Sequence, residues 1–276
     1  YLLGGGNTNG YSLNVYRASI NSDGIIGSWV SGTTLPAEIG ISPIVITKNR
    51  LYLLGGAGPF GGTNIIYSAP ILEGLNDYSS YYAEDIVNYC YPGSGKPWQQ
   101  QYQINETQSG DITGWTVGTS LPFNICGHGY IVTKNRVYLI GGWNGDVNSA
   151  VSTVYTAPIN ADGTLGTWTT GTALPGAISN TQAIVTKNRV YVLGGSTTSA
   201  HVTTVYTAPI NADGTLGSWT TGNNLPGSLT SSSCIVTKNR VYMIGGSNGV
   251  TVFSTVYTAM INNDGTLAGW SSGPSL

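Results

Sequence analysis

Side chains able to do acid–base, nucleophilic or metal chemistry are scarce in this sequence: two histidines, three cysteines and twelve acidic residues among 276. His128 and His201 fall in separate Gly-, Ser- and Thr-rich segments. A lone loop imidazole of this kind is more often solvated than catalytic. Glycoside hydrolysis needs two carboxyl groups about 5 to 10 Å apart, and outside repeated turns the candidates are Glu38 and Asp146, with the acids of segment 68–101 as outsiders. No serine or cysteine carries a nucleophile signature. Cys90, Cys126 and Cys234 show no C-x-x-C spacing for zinc or redox work and allow at most one bridge. The expectation is a protein that is not an enzyme, with no cofactor and no metal.

Binding chemistry is better represented. Trp143, Asn144 and Asp146 lie together, His128 and Tyr130 stand earlier in the same copy of the repeat described below, and Glu38 and His201 fall in the variable loops of other copies. Asn7, Asn9, Tyr11, Phe60 and Phe253 join them. Aromatic rings stack on the apolar face of a sugar while amides and carboxylates fix its hydroxyls, so this mixture suits a glycan. Ordinary loop packing or protein contacts are the alternative reading. Segment 68–101 adds Tyr81, Tyr82 and Trp98, an aromatic content that argues against disorder and for a lid, a partner-docking element or self-packing. Cys90 within it is a possible disulfide partner of Cys126, and Cys234 reads as a buried thiol.

The elements that must position these residues are set by a repeat. Ile184-Val-Thr-Lys-Asn-Arg-Val-Tyr-Val-Leu-Gly-Gly195 recurs at 131–142, at 235–246 and, loosely, at 45–56, and the chain opens on the tail of another copy. Val154-Tyr-Thr-Ala-Pro-Ile-Asn-Ala-Asp-Gly-Thr-Leu-Gly-Thr-Trp168 recurs at 205–219, at 256–270 and, loosely, at 15–29. Short runs of Val, Ile, Tyr and Thr between turn residues read as four strands per copy, A to D. Lys-Asn-Arg turns A into B, Asp-Gly turns C into D, and Leu-Pro ends D. A meander of this size cannot bury both faces alone, and radial stacking of copies solves that, which is a β-propeller.

A strand ending in Gly-Gly, a Tyr in the next strand and a Trp opening the fourth resemble the kelch repeat. The resemblance implies an all-β propeller of four-stranded antiparallel blades. Five blades are visible, at about 1–36, 37–122, 123–175, 176–226 and 227–276, the first without its inner strand and the second holding an insertion of about 35 residues near 68–101. Tyr67 and Tyr102 both qualify as the strand C tyrosine of blade two. The Tyr-to-Trp spacing of 13 is longer than in the usual kelch blade, and the ring is expected to be closed by unseen residues or continued by unseen blades. Tyr1 falls inside a strand pattern, as in a processed or partial chain. The family implies no single function.

Composition excludes other classes. Charged residues are 8% where about 25% is usual, and the net charge of −2 supplies no attraction to nucleic acid or anionic membrane. Eight of the ten basic residues sit in the A–B turns, and these are expected to pair with the Asp-Gly turns on the same face. The B–C and D–A loops form the opposite, variable face. The expected role is recognition outside the cell or on a cell or virion surface, through glycan binding there. The alternative is a protein–protein or assembly module, with surface proteins or copies of itself as partners.

Overall fold

The computed structural model describes residues 2–3, 6–7, 10–19, 25–40, 42–47, 49–58, 61–71, 112 and 114–276. Its described elements are β-strands, arranged as antiparallel meanders. Blade 3 runs from strand A (Gly129–Val132) through B (Arg136–Ile140) and C (Val154–Pro158) to D (Thr169–Thr170). Blades 4 and 5 repeat this order with Gln182–Val185 and Ser233–Val236 as their inner strands. Among the described residues the blade 1 sheet has three strands, Leu2–Leu3, Val15–Arg17 and Val30–Ser31, and no inner one, as expected.

Alternation along the strands explains the stacking, because residues on opposite sides of a strand face opposite neighbours. Val137 and Leu139 pack with Tyr52, Leu54 and Ile66 of blade 2. Tyr138 and Ile140, on the other side of the same strand, pack with Val190, Val192 and Ala208 of blade 4. The same division recurs between blades 4 and 5. Each side chain buried this way contributes about 1.5 to 3 kcal/mol, so the junctions between blades carry the core.

A polar latch accompanies every one of these three junctions. Thr47 Oγ1 and Tyr52 OH both donate to the Gly163 carbonyl, at 2.7 and 3.1 Å. Thr133 and Tyr138 hold Gly214 at 2.9 Å each, and Thr186 and Tyr191 hold Gly265 at 2.8 and 3.3 Å. The glycine is that of the Asp-Gly turn of the next blade, at φ of 80° or 81°, a conformation glycine adopts without steric cost. The repeated A–B and C–D turns thus join one blade to the next. They do so differently from the expected belt of ion pairs. Oδ1 of Asp162, Asp213 and Asp264 accepts both the backbone N–H and the hydroxyl of the threonine two residues on. These bonds hold the three carboxyls below the usual range, with the arginine of the preceding blade adding a lesser attraction. The arginines bond the adjacent strand C instead, Arg136 Nε to Thr156 at 3.0 Å and Arg189 Nε to Thr207 at 3.2 Å.

In blade 2, strand C is Gly61–Pro70, and Tyr67 faces Leu53 as Tyr155 faces Leu139. Tyr67 is therefore the strand C tyrosine. Ile71 bridges Ile112 just as Ile159 bridges Leu165. The extra chain consequently replaces the C–D turn as residues 72–111, starting and ending later than 68 and 101. It leaves from the face opposite the B–C and D–A loops. Tyr81, Tyr82, Cys90, Trp98 and Tyr102 lie outside the described residues.

Candidate functional site

On the variable face, blades 2 and 3 are fused in a way that blades 4 and 5 are not. Ile125–Cys126, in the loop between strand D of blade 2 and strand A of blade 3, pairs with Trp143–Asn144 of the next B–C loop. Ile125 also pairs with Thr63 of blade 2, and Trp143–Asn144 folds back on Ser149–Ala150. One continuous seven-stranded sheet results. The corresponding contacts in blades 4 and 5 are single bridges, Ser179 to Ser196 to His201 and Thr230 to Ser247 to Val252.

This fusion consumes the polar groups expected to meet a ligand. Asn144 is 4% exposed, and its Oδ1 accepts the Asp146 N–H at 2.8 Å. Asp146 is exposed, yet its Oδ1 accepts Asn124 Nδ2 at 2.7 Å, while the Gly145 N–H donates to the Asn124 carbonyl at 2.9 Å. Asn144 is thus an internal turn residue, and Asp146 clamps the two loops together. Trp143 remains half-buried beside them.

His128 departs further from its expected place in a solvated loop. It is 6% exposed and stands where blades 2, 4 and 5 carry Ser42, Thr181 and Ser232. Two of those hydroxyls have backbone acceptors, Ser42 on Gly55 at 2.9 Å and Thr181 on Leu193 at 3.1 Å. Neither imidazole nitrogen meets hydrogen-bond geometry. Burial pushes the pKa down to about 4, against a smaller opposing effect of the Leu54 backbone. His128 is therefore a neutral seam residue between blades 2 and 3 and cannot reach a ligand in solution.

Tyr130 and His201 do reach solvent. Tyr130 is 41% exposed on the inner strand of blade 3, and partial burial raises its phenol. His201 is exposed, with Nδ1 2.8 Å from Ser196 Oγ. A serine–histidine pair invites a catalytic reading, but the Ser196 residue is 7% exposed and His201 Nε2 packs against Gly249 of the neighbouring loop. The pair is a contact within the B–C loop of blade 4, braced against the B–C loop of blade 5. Glu38 is exposed, Tyr11 and Phe253 are half-buried, and Asn9 and Phe60 lie outside the described residues, as does the Asn7 side chain. Cys126 and Cys234 have no disulfide partner among the described residues, Cys90 lying outside them, and both thiols are raised by burial, Cys234 to about 12. Among the described residues no three His, Cys, Asp or Glu side chains gather as metal ligands, and no helix is long and apolar enough to cross a membrane.

The same face carries exposed aliphatic tips that sequence reasoning passed over: Val147 at 63%, Val250 at 93% and Val252 at 82%. Phe123 is 39% exposed at the start of the D–A loop, its ring 5.8 Å from that of Tyr155. The available signal was that these residues are unique to one copy, where the repeat itself is polar or glycine.

No family model matches the chain. The Kelch repeat protein M-T8 of Myxoma virus (strain Lausanne) is 27% identical over 156 residues, 56% of this chain and 26% of that protein. The chain thus spans about a quarter of the length of the curated relative it matches. The solved structure of YjhT superposes with a TM-score of 0.66 at 10% identity, over 99% of this chain and 83% of that one, which shows the fold. The chain is a β-propeller built of kelch-like repeats. As in any such propeller, function lies in what the blades hold at their loops rather than in the ring itself.

Proposed function

We propose that this kelch-like propeller is a non-catalytic recognition module that docks a protein partner on the face bearing the B–C and D–A loops. The observation that carries the reading is the character of that face. Its amide and carboxylate groups at Asn144 and Asp146 are spent inside the fused loops, while Val147, Val250 and Val252 project into water. Exposed aliphatic groups on a folded surface favour a partner that removes them from water. The kelch relative, the neutral His128 seam and the loop-bound Ser196–His201 pair support a binding role without chemistry. The charge-poor surface, rich in Ser, Thr, Asn and Gly, supports a place outside the cell or on a surface assembly.

Glycan binding is the second reading. Trp143, Tyr130 and His201 favour it, since each retains partial or full exposure. One paired experiment separates the two. The wild-type chain, the Trp143→Ala variant and the Val250→Glu/Val252→Glu variant are each tested on a glycan array and in capture of proteins from a native extract. Protein capture lost with the glutamates and retained with Trp143→Ala supports docking. Array binding lost with Trp143→Ala supports the glycan reading and sinks the first.

A further inference from the structure

Three Asn-Gly pairs occur in the chain, at Asn9, Asn144 and Asn248. Such a pair can react with itself, because glycine has no side chain to keep its nitrogen away from the asparagine side-chain carbonyl. Asn9 lies outside the described residues, and the other two have opposite surroundings. Asn144 is 4% exposed, its Oδ1 accepts the Asp146 N–H, and the Gly145 N–H is spent on the Asn124 carbonyl within the fused sheet. The nitrogen of that pair is locked in a backbone bond and its amide is shut off from water.

Asn248, in the B–C loop of blade 5, is arranged for the reaction. Its Oδ1 accepts two backbone N–H groups, from Thr251 at 2.8 Å and Val250 at 3.1 Å. Paired donors of this kind polarise the carbonyl and hold the negative charge that gathers on its oxygen during attack. The Gly249 N–H donates to the Ser247 hydroxyl at 2.9 Å, a partner that can pass a proton on as a backbone carbonyl cannot. Gly249 is exposed, at φ 85°, and a Cβ there would collide with His201 Nε2. The imidazole edge thus lies directly against the Gly249 α-carbon, beside the nitrogen that must lose its proton. Ser196 Oγ, 2.8 Å from His201 Nδ1, fixes the ring from its other side. In the loops of blades 3 and 5 the place of His201 is taken by Ala150 and Val252, so the imidazole belongs to this junction alone.

We infer that Asn248–Gly249 is a self-modification site, at which the Gly249 nitrogen closes on the Asn248 side-chain carbonyl with His201 as general base. In the tautomer whose Nδ1–H donates to Ser196 Oγ, Nε2 carries the lone pair. The nitrogen attacks Cγ and a C–N bond forms, its proton passing to Nε2 directly or through the Ser247 hydroxyl. The charge on Oδ1 rests on the Val250 and Thr251 N–H groups. The Cγ–Nδ2 bond then breaks, and the amino group leaves as ammonia with the proton that the imidazolium returns. Water opens the cyclic imide at one or other carbonyl, giving aspartate or its isomer in which the chain runs through the side-chain carboxyl carbon. No electrons are exchanged, water is the only co-reactant, and the reaction runs once per chain. The product sets a carboxylate beside His201 and next to the exposed Val250 and Val252, adding one negative charge to a chain of net charge −2. The site stands whatever that face binds.

The test incubates the full chain at neutral pH, folded and in urea, and follows conversion at Asn248 and Asn144 by peptide mass spectrometry, which reads the mass gained from amide to acid. In the folded chain Asn248 converts faster than Asn144, and faster than it does itself in urea, by about tenfold in each comparison. His201→Gln brings the folded rate down to the rate in urea. Free imidazole restores the rate in His201→Gly, which a merely structural role of the ring would not allow. Conversion of Asn248 no faster in the folded chain than in urea would show an ordinary effect of the Asn-Gly sequence and overturns the inference. An unchanged rate in His201→Gln, or a His201→Gly chain that imidazole leaves slow, overturns it as well.

Discussion

Acidification should weaken this protein through His128, and the size of the effect follows from its burial. The imidazole has an ordinary pKa of 6.5 when the chain is unfolded and about 4 when it is held between blades 2 and 3. The folded state therefore disfavours the proton that the unfolded chain accepts. Stability from this residue is fully present above pH 6.5 and is lost as pH falls toward 4. The whole shift corresponds to about 3 kcal/mol, of which about 2 kcal/mol is lost between pH 7.5 and 5.0. The perturbation is His128→Thr, which installs the side chain that blade 4 carries at Thr181. Urea unfolding of both proteins, followed by tryptophan fluorescence, is measured at several values across that interval. The wild-type midpoint should fall relative to the variant by the equivalent of about 2 kcal/mol on going to pH 5.0, all other titrations cancelling in the difference. A difference that stays flat with pH would refute the placement of a neutral imidazole in the seam.

Further predictions concern the latch, the thiols and the face. Tyr138→Phe removes one buried hydrogen bond to the Gly214 carbonyl and should cost about 1 kcal/mol in urea unfolding; Gly214→Ala, at φ 81° against Asn135, should cost at least as much. At pH 8 iodoacetamide should label Cys126 slowly and Cys234 more slowly still, both reacting quickly once urea unfolds the chain. Labelling of Cys126 without reductant would also exclude the bridge to Cys90. Val250→Glu/Val252→Glu should leave stability within about 0.5 kcal/mol of wild type, so that any lost binding reports the face rather than the fold.

The architecture was legible because the copies repeat at about one blade, and each recurring residue has a structural task. The Thr, Tyr and Asp-Gly positions recur because each latch needs all of them, although recurrence alone did not reveal that their partner is the next blade. The aspartate and arginine turns shared a face as expected, but short bonds within a turn and to the adjacent strand outcompete solvent-exposed ion pairs. The site was less legible. Asn144 looks like a loop amide until Ile125–Cys126 pairs with it, a contact between segments about 20 residues apart whose register no local pattern encodes. His128 could have been placed from the repeat, since Ser42, Thr181 and Ser232 hold the same position before the inner strand. The apolar tips at Val147, Val250 and Val252 were obscured by the glycines and polar residues around them.

The central claim, that the variable face is where a partner docks, is tested most directly by site-specific photo-crosslinking in a native extract. A crosslinking residue is placed at Val250 on that face and, in a separate protein, at Lys134 on the opposite one. The account predicts discrete protein adducts from position 250 and none from position 134. Adducts from 134 alone, or none from either, would contradict it.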